Sequence, residues 1–294
     1  RKLKGFRDLT QKLKKINADI YLFHSADLAV YPVSFYIRRI LKKKVVIMLA
    51  HDDETSPKLL TKSFGKLTSM LMSKAYKTAD MITVQTRFQG SEIKRNRGIH
   101  SGKLLPYIYN VSSEITKDDS VNYLFWIGRA EKWKRPELFI QSAKQFPDQK
   151  FIMVMPAEYG KEDVKESHVK NIEKCENLTL IDYLSPEKVP DYFKNAGIYV
   201  ITSEREGFAN TMMEAMDGEC PILSLSVNPD NIISEHEAGI YANNDLALFF
   251  KSMEDLINDK DLRNRLGKKG KKYLIDNHTA DKVIPVFKEY LNEL

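Results

Sequence analysis

Residues 197–223 read GIYVITSEREGFANTMMEAMDGECPIL and contain one complete strand, turn, helix and strand pattern. The β-branched and aromatic run GIYVITS (197–203) is typical of a buried strand, and CPILSLS (220–226) is typical of the next one. The residues between them predict a polar turn and then a helix that begins near Ala209–Asn210. Two strands joined through a helix favour parallel pairing, because a parallel pair requires such a crossover.

The same alternation of strand-like and helical segments extends outward over the whole chain of 294 residues. Alternating strands and helices imply parallel sheets covered on both faces, so we predict an α/β fold with two such sheets. We expect the sheets to be joined near residues 111–121, which are polar and turn-rich. The other predicted strands are ADIYLF (18–23), KVVIML (44–49), DMITVQT (80–86), LLPYIY (104–109), NYLFWIG (122–128), KFIMVMP (150–156) and LTLIDYL (178–184).

The charge balance changes sign close to this joint. Residues 1–120 hold 23 Lys and Arg against 11 Asp and Glu, a balance of +12, and the whole chain carries +6, so residues 121–294 carry −6. The basic half could face nucleic acid, an anionic membrane or a phosphorylated substrate, or it could be no more than solvated helix faces. The sequence contains no nucleic-acid-binding motif, so nucleic acid is not expected as a partner. The basic clusters that would meet a membrane are Lys12, Lys14 and Lys15, and Arg38, Arg39 and Lys42 to Lys44.

Composition excludes several other classes of protein. No apolar run approaches the roughly 18 residues that a membrane span needs, and the basic first residues have no apolar signal core. Two cysteines, Cys175 and Cys220, are too few for a disulfide scaffold or a cysteine-based zinc site, and the histidines lack metal-ligand spacing. We therefore expect a cytoplasmic protein without a metal, peripheral on the membrane if its basic half docks there.

Two strand ends carry candidate ligand-binding residues, because ligands of open α/β sheets bind beyond the carboxyl ends of strands. After the strand NYLFWI, Gly128 allows close approach of a ligand, and Arg129 and Lys134 supply positive charge for phosphate oxygens. A solvated basic turn would have the same composition. After GIYVITS, Glu206 lies in the turn and Glu214 in the helix, so both can face one elongated ligand whose phosphate lies at the helix start.

A third strand end, SVNPDN (226–231), allows two interpretations. Asn228 or Asp230 could cap the following helix, since both residue types are favoured at that position. Alternatively, the backbone of this segment could contact a phosphate or a sugar.

The motifs after two of these strands resemble those of a known family. EGFANTMMEAM followed by CPIL resembles the E-x7-E segment of the retaining nucleotide-sugar glycosyltransferases of GT-B fold (family 4-type, glycosyl transferases group 1), with Ala209 where Pro or Gly is usual. Gly128-Arg129 with Lys134 resembles the same family's G-R-x4-K element. ADIYLFHSADLAVYP, VVIMLAHDD and ADMITVQTRFQ resemble the later part of its acceptor domain, so the resemblance covers nearly the whole chain.

The resemblance implies a role for each site residue. Arg129 and Lys134 would hold the donor diphosphate, Glu214 the ribose hydroxyls, and Glu206 the donor sugar. His51, after the VVIML strand, would line the cleft near the sugar, although it could equally be a solvated loop histidine. No metal and no cofactor other than the donor substrate is implied. The predicted catalytic residues are Glu206, His51, Arg129 and Lys134, and the predicted donor-binding residues are Gly128, Arg129, Lys134, Glu206, Gly207, Phe208, Ala209 and Glu214.

The resemblance also implies a domain organisation. Residues 1–120 would form a partial, acceptor-side Rossmann-like domain, 121–279 the donor-binding domain, and 280–294 a terminal helix that packs back on the first. The family's opening strand and Gly-rich loop are absent, so we expect a chain that lacks the N-terminal part of the acceptor domain. Pro156-Ala157 replace a glycine that the family often has, so family contacts at that strand end are not carried over.

The function that the resemblance implies is retaining glycosyl transfer from a nucleotide diphosphate sugar to a hydroxyl of a glycan or a lipid-linked acceptor. Two alternatives stay open: a nucleotide-sugar-binding fragment without turnover, and a sugar epimerase of the same fold. The sequence does not name the base, the sugar or the acceptor.

Overall fold

The computed structural model describes residues 2–100, 102–112, 122–157 and 162–294. By the contacts between its residues the chain divides into two compact units. The first is Arg1–Tyr107 together with Asp281–Leu294, and the second is Ile108–Ala280. The joint predicted at 111–121 lies almost entirely outside the described residues, and its first two residues already belong to the second unit.

The first unit is built on a four-stranded parallel sheet. Its strands are β1 (Ile20–His24), β2 (Lys44–Met48), β3 (Met81–Val84) and β4 (Gly102–Leu104), paired in that order. Its helices are α1 (Lys2–Ile16), α2 (Val30–Tyr36) with a π-helical turn over Ile37–Leu41, α3 (Pro57–Phe64), α4 (Lys66–Thr78), α5 (Arg87–Arg97) and α13 (Ala280–Asn292).

Local sequence explains where the helices of this unit lie. In α4 the buried residues Met72, Ala75 and Tyr76 recur at the spacing of one helix face, and they join the core beside the fully buried strand residues of β2. Helix α5 begins where the Thr86 hydroxyl accepts a hydrogen bond from the Gln89 N–H (3.1 Å), and it ends at a left-handed glycine.

The terminal helix α13 packs along the last strand of the first unit. The Tyr290 hydroxyl donates to the Leu104 carbonyl (3.1 Å), and the Lys103 ammonium lies 2.7 Å from the Glu293 carboxylate. Lys103 also lies 5.0 Å from the centre of the Tyr290 ring. These contacts assign residues 281–294 to the first unit, although the second unit precedes them in the chain.

The second unit is built on a six-stranded parallel sheet. Its strands are β5 (Leu124–Ile127), β6 (Phe151–Val154), β7 (Leu178–Ile181), β8 (Ile198–Ile201), β9 (Ile222–Ser224) and β10 (Gly239–Tyr241). Its helices are α6 (Pro136–Gln145), α7 (Glu162–Ile172), α8 (Val189–Asn195), α9 (Asn210–Asp217), α10 (Ile232–Glu235), α11 (Leu246–Asn258) and α12 (Lys260–His278). The strand order is β10-β9-β8-β5-β6-β7, and every pair is parallel.

Helix α12 approaches the end of α9 at backbone distance. A Cβ atom placed on Gly267 would lie 1.9 Å from the carbonyl oxygen of Glu219, and one on Gly270 would lie 3.2 Å from Met216. A side chain at Gly267 is therefore impossible without moving the helix. The close contacts of Gly267 and Gly270 therefore hold α12 against α9, the helix that carries Glu214.

Two strand predictions need correction. LLPYIY (104–109) was predicted as a strand, but the strand lies earlier, at Gly102–Leu104. The Leu105 N–H still donates to the Val84 carbonyl (2.8 Å), but Pro106 has no N–H with which to continue the ladder. Strand β10 was not predicted, because it is three residues long and begins at a glycine. None of the helices described is long and apolar enough to cross a membrane.

Candidate functional site

The direction of winding in the six-stranded sheet reverses between β5 and β8. From β5 the chain proceeds to β6 and β7 on one side, and from β8 it proceeds to β9 and β10 on the other. The turns after β5 and β8 therefore leave neighbouring strands at the same carboxyl edge, where ligands of open parallel sheets bind. These two turns carry the G-R-x4-K and E-x7-E residues, so the fold brings the two motifs together.

The turn after β5 is fixed through its backbone. The Gly128 N–H donates to the Val154 carbonyl (3.0 Å), and a Cβ atom on Gly128 would lie 3.1 Å from the Trp126 ring. The next side chain, Arg129, is 58% exposed, and its guanidinium lies 3.0 Å from the Glu131 carboxylate. The Arg129 charge is thus largely exposed to solvent and is partly balanced by the charge of Glu131.

Lys134 and Glu206 form an ion pair that joins the two turns. The Lys134 ammonium contacts Oε1 of Glu206 directly, and both side chains are largely buried, at 17% and 14% exposed. The Ser203 hydroxyl donates to the same carboxylate oxygen (2.9 Å). The sequence placed Lys134 and Glu206 at one site but did not predict that they bind each other. An anionic ligand that reaches Lys134 must therefore share this ammonium with Glu206.

Trp133 lies in the candidate site, although the sequence analysis did not single it out. Its indole N–H donates to Glu131 (2.5 Å), and its carbonyl accepts from the Glu204 N–H (2.8 Å) in the turn after β8. The Lys134 ammonium lies 4.4 Å from the centre of its ring, within cation–π distance. The signal was available in the sequence, as a tryptophan between two lysines at a strand end.

Helix α9 begins at Asn210, as the sequence predicted, and carries Glu214. Glu214 is half-buried, and burial raises the pKa of its carboxyl group. Among the residues that the structure describes, no hydrogen bond or ion pair reaches this carboxylate. The turn before the helix is anchored by Phe208, which is buried and stacks on His278 with ring centres 4.8 Å apart. Glu214 is thus a half-buried acceptor that receives no hydrogen bond from the described residues.

The end of α9 holds a second network that the sequence interpretation did not find. The carboxylate of Asp217 is 5% exposed and accepts from the N–H and hydroxyl of Ser112, at 3.0 and 2.8 Å. Tyr109 reaches the same carboxylate at 3.5 Å, and the ammonium of Lys271 lies 3.6 Å away. These contacts tie the first residues of the second unit to α9. Nothing in the local sequence connects residues this far apart in the chain.

At the third strand end, Asn228 contacts the first turn of α10. The Asn228 side chain accepts from the Ile233 N–H (2.9 Å) at the start of α10, and its amide donates to Ser234 (2.8 Å). The contact supports the first turn of α10, although the N-cap residue of that helix is Asn231 and its side chain makes no cap hydrogen bond. Over the described parts of the chain, no group of three or more His, Cys, Asp or Glu side chains is arranged to hold a metal ion.

In the first unit, the loop after β2 carries His51 as an exposed side chain. The backbone of this loop is held by Glu54, which is fully buried and accepts from the N–H groups of Ala50 (2.9 Å) and His51 (3.1 Å). The Tyr76 hydroxyl donates to the other oxygen (2.7 Å). Burial raises the pKa of Glu54, and it raises the pKa of Tyr76 well above its usual range. Glu54 was not predicted as a site residue, since it lies next to two other acidic residues in the sequence.

The two parallel-sheet units and the paired motifs at one carboxyl edge define a GT-B-type α/β fold, and comparison with known proteins agrees. The family model for glycosyl transferases group 1 matches residues 110–273, which is more than half of the chain. The chain therefore belongs to that family.

Two bacterial proteins are similar in sequence to about half of this chain. The capsular polysaccharide biosynthesis glycosyltransferase CapM of Staphylococcus aureus is 26% identical over 164 residues, which cover 54% of this chain and 42% of CapM. Spore coat protein SA of Bacillus subtilis is 24% identical over 158 residues, covering 49% of this chain and 42% of that protein. The chain thus matches less than half the length of either relative.

Solved structures resemble this chain over nearly its whole length. Sucrose-phosphate synthase from Thermosynechococcus elongatus has a TM-score of 0.81 at 13% identity, over 97% of this chain and 76% of its own. HepE from Anabaena in complex with UDP has a TM-score of 0.78 at 15% identity, over 98% and 82%. S. aureus TarM in complex with fondaparinux, alpha-GlcNAc-glycerol and UDP has a TM-score of 0.74 at 16% identity, over 96% and 57%. At these identities the likeness establishes the fold.

Proposed function

We propose that this chain binds a nucleotide diphosphate sugar at the carboxyl edge of its six-stranded sheet and belongs to a retaining glycosyltransferase. The acceptor would be a hydroxyl of a glycan or a lipid-linked molecule, as in polysaccharide biosynthesis. The observation that carries the proposal is the Lys134–Glu206 pair at the point where the winding reverses, with Glu214 on the following helix. Family membership and the UDP complexes of HepE and TarM support it.

Each candidate residue has a distinct part in the proposed reaction. Arg129 and Lys134 stabilise the negative charge that grows on the diphosphate as the bond from the sugar's anomeric carbon to the phosphate oxygen breaks. The acceptor oxygen bonds to the anomeric carbon on the same face, and its proton passes to the departing phosphate oxygen. Glu206 orients the sugar, and Glu214 accepts hydrogen bonds from the ribose hydroxyls. The part of His51 stays a prediction from the family resemblance.

Glu214 is suited to ribose recognition by what surrounds it. A half-buried carboxylate that receives no hydrogen bond from the described residues offers acceptor sites to a ligand that brings its own hydroxyl groups. Ribose hydroxyls that donate to this carboxylate would replace the hydrogen bonds to water that it loses on burial. The binding free energy should therefore depend on the presence of those hydroxyls.

Thermal shift with UDP, GDP and ADP and their sugars is the first test. A ligand present at 100 times its Kd adds roughly 2.7 kcal/mol to the free energy of unfolding, which is readily measured. Incubation with the sugar form of the bound nucleotide, with and without a glycan acceptor, then separates the alternatives. Transfer to the acceptor supports the proposal, binding without turnover indicates a nucleotide-sugar-binding fragment, and a new sugar on the nucleotide indicates an epimerase.

The second candidate function is reversible docking of the first unit on an anionic membrane. Part of the predicted basic surface is already engaged within the protein, since Arg38 pairs with Asp80 (2.9 Å) and Lys43 with Asp19 (2.7 Å). Lys12, Lys14 and Lys15 of α1 are exposed, and two apolar side chains of the first unit, Phe35 and Ile40, are 50% and 59% exposed. The exposed basic residues of the predicted clusters are Lys12, Lys14, Lys15, Arg39, Lys42 and Lys44.

Vesicle cosedimentation tests docking. Each Lys or Arg near an anionic surface contributes on the order of 1 kcal/mol, so changing Lys12, Lys14 and Lys15 to Glu should abolish binding to anionic vesicles at 0.1 M salt. A matched triple change of exposed lysines in the second unit is the control and should have little effect; the residues are Lys144, Lys170 and Lys174. Equal binding to neutral and anionic lipid, or none to either, contradicts membrane docking.

A further inference from the structure

Arg135 has a backbone conformation that is unusual for its residue type. It lies between the 3₁₀ turn Lys132–Lys134 and helix α6, with φ 49° and ψ 53°, in the left-handed region that favours glycine. The following residue, Pro136, disfavours the helical conformation at this position, and the Arg135 N–H donates to the Lys132 carbonyl (3.1 Å). A strained non-glycine residue persists where its surroundings over-determine it, and such residues concentrate at functional sites.

The Arg135 side chain supplies the contacts that over-determine it. Its Nε donates to the Thr202 carbonyl (2.6 Å), and Nη2 donates to the Ser203 carbonyl (3.3 Å) and to the Ser226 hydroxyl. Its Nη1 lies 3.4 Å from the Asn244 side-chain oxygen. Thr202 and Ser203 follow β8, Ser226 follows β9 and Asn244 follows β10, while Arg135 itself follows β5. One guanidinium thus connects the carboxyl ends of four neighbouring strands.

These contacts lead directly to the Lys134–Glu206 pair. The Thr202 hydroxyl donates to the Lys134 carbonyl (2.6 Å), and Ser203 donates to the Glu206 carboxylate (2.9 Å). The two residues whose carbonyls Arg135 holds therefore contact the two members of the ion pair. A shift at Thr202 or Ser203 would move Lys134 relative to Glu206.

The charge of Arg135 is used differently from those of the two predicted phosphate ligands. Arg129 lies beside Glu131, and Lys134 lies beside Glu206. Over the described ranges, the Arg135 guanidinium has no carboxylate partner, and its acceptors are two carbonyls, a hydroxyl and an amide. A planar fork with five donors can satisfy several neutral acceptors at fixed angles, which a lysine ammonium cannot do.

We propose that Arg135 is a positioning residue of the proposed diphosphate site. It fixes the turn after β8 and so holds Lys134 and Glu206 in the positions from which they contact the ligand. The inference rests on the proposed nucleotide-sugar site and adds to it a residue outside the G-R-x4-K and E-x7-E motifs.

The test compares Arg135→Lys with Arg263→Lys in the whole chain. Arg263 is a matched control, because it is a partly buried arginine of the same unit whose guanidinium also donates to main-chain carbonyls, those of Leu256 and Ile257. Affinities for UDP, GDP and ADP are measured beside those for uridine, guanosine and adenosine. Amide hydrogen exchange of residues 203–208 is followed in the same proteins without ligand.

We expect Arg135→Lys to weaken the binding of the nucleoside diphosphate about tenfold, a loss typical of charged hydrogen bonds, and that of the nucleoside less than about twofold. Exchange over 203–208 should accelerate in Arg135→Lys and stay at the parent rate in Arg263→Lys. If Arg135→Lys does not fold, Arg135→Gly replaces it, since glycine adopts φ 49° without strain. The same loss is expected there.

Three outcomes would overturn the inference. They are an unchanged ratio of diphosphate to nucleoside affinity in the Arg135 variant, an equal loss in Arg263→Lys, and unchanged exchange over 203–208. If the parent binds none of the three diphosphates, the proposed function fails, and the exchange measurement alone decides the positioning role of Arg135.

Discussion

Replacing Glu214 with glutamine should stabilise the protein while weakening its ligand binding. The folded protein holds the Glu214 carboxyl at a raised pKa because of burial, whereas the unfolded chain has the ordinary value of 4.5. The folded state therefore binds this proton more tightly, and its stability decreases as pH rises through the interval between the two pKa values. Above that interval the parent carries the full penalty of a desolvated charge, and the glutamine variant does not.

The structure also sets the size of the binding effect. No hydrogen bond to the Glu214 carboxylate is lost on substitution within the described part of the chain, so the change acts on the ligand alone. A hydrogen bond to a charged group contributes about 1.5–3 kcal/mol and a neutral one about 0.5–1.5 kcal/mol. Glu214→Gln should thus weaken the ribonucleotide by about 1–1.5 kcal/mol, or roughly 5- to 12-fold.

Calorimetric titration and thermal unfolding together test this reasoning. The nucleoside diphosphate should lose affinity in Glu214→Gln, whereas its 2′,3′-dideoxy analogue should bind both proteins alike. The unfolding temperature of the variant should exceed that of the parent at pH 8, and the difference should disappear below about pH 4. Glu173→Gln, an exposed position in the same unit, is the control and should change neither property. A variant less stable than the parent at pH 8, or an equal loss for the dideoxy analogue, would refute the assignment.

Three further predictions follow from the second unit. Arg129→Ala or Lys134→Ala should weaken nucleoside diphosphate binding by roughly 1.5–3 kcal/mol in titration and leave nucleoside binding unchanged, and an equal loss for both ligands would contradict the diphosphate role. Glu206→Gln releases Lys134 from its ion pair, so diphosphate affinity should stay level or increase while sugar transfer falls; the reverse pattern would mean that the two glutamates have exchanged roles. Gly267→Ala should destabilise the fold by about 1–3 kcal/mol in denaturant unfolding, because its Cβ meets the Glu219 carbonyl at 1.9 Å, and parent-like stability would show that α12 can shift freely.

The sequence predicted those features that depend on neighbours in the chain. The strand GIYVITS, the helix start at Asn210 and the placement of Lys134 and Glu206 at one edge all follow from local pattern and from the rule for parallel sheets. Strand β4 was misplaced because Pro106 was counted within an apolar run, although a proline cannot donate to the ladder.

The parts that could not be predicted rest on contacts between distant residues. The sequence analysis did not single out Arg135, because its acceptors lie 67 to 109 positions away in the chain. The burial of Glu54 could not be predicted either, because it follows two other acidic residues in the sequence. Only the fold shows that its carboxylate is buried and accepts a hydrogen bond from Tyr76. A single sequence contains the identities of such residues but not their partners.

The network at Asp217 determines where the second unit can be cut from the chain. A recombinant second unit that begins at residue 122 would omit Ser112, whose N–H and hydroxyl satisfy the Asp217 carboxylate, and Tyr109, whose N–H donates to the His278 carbonyl (2.7 Å). A unit that begins at Ile108 keeps both. Because Glu214 lies one turn before Asp217 on the same helix, the shorter protein should lose nucleotide affinity as well as stability. Buried hydrogen bonds therefore set the useful boundary for protein production at Ile108. This boundary lies before the polar segment 111–121, where composition alone would place it.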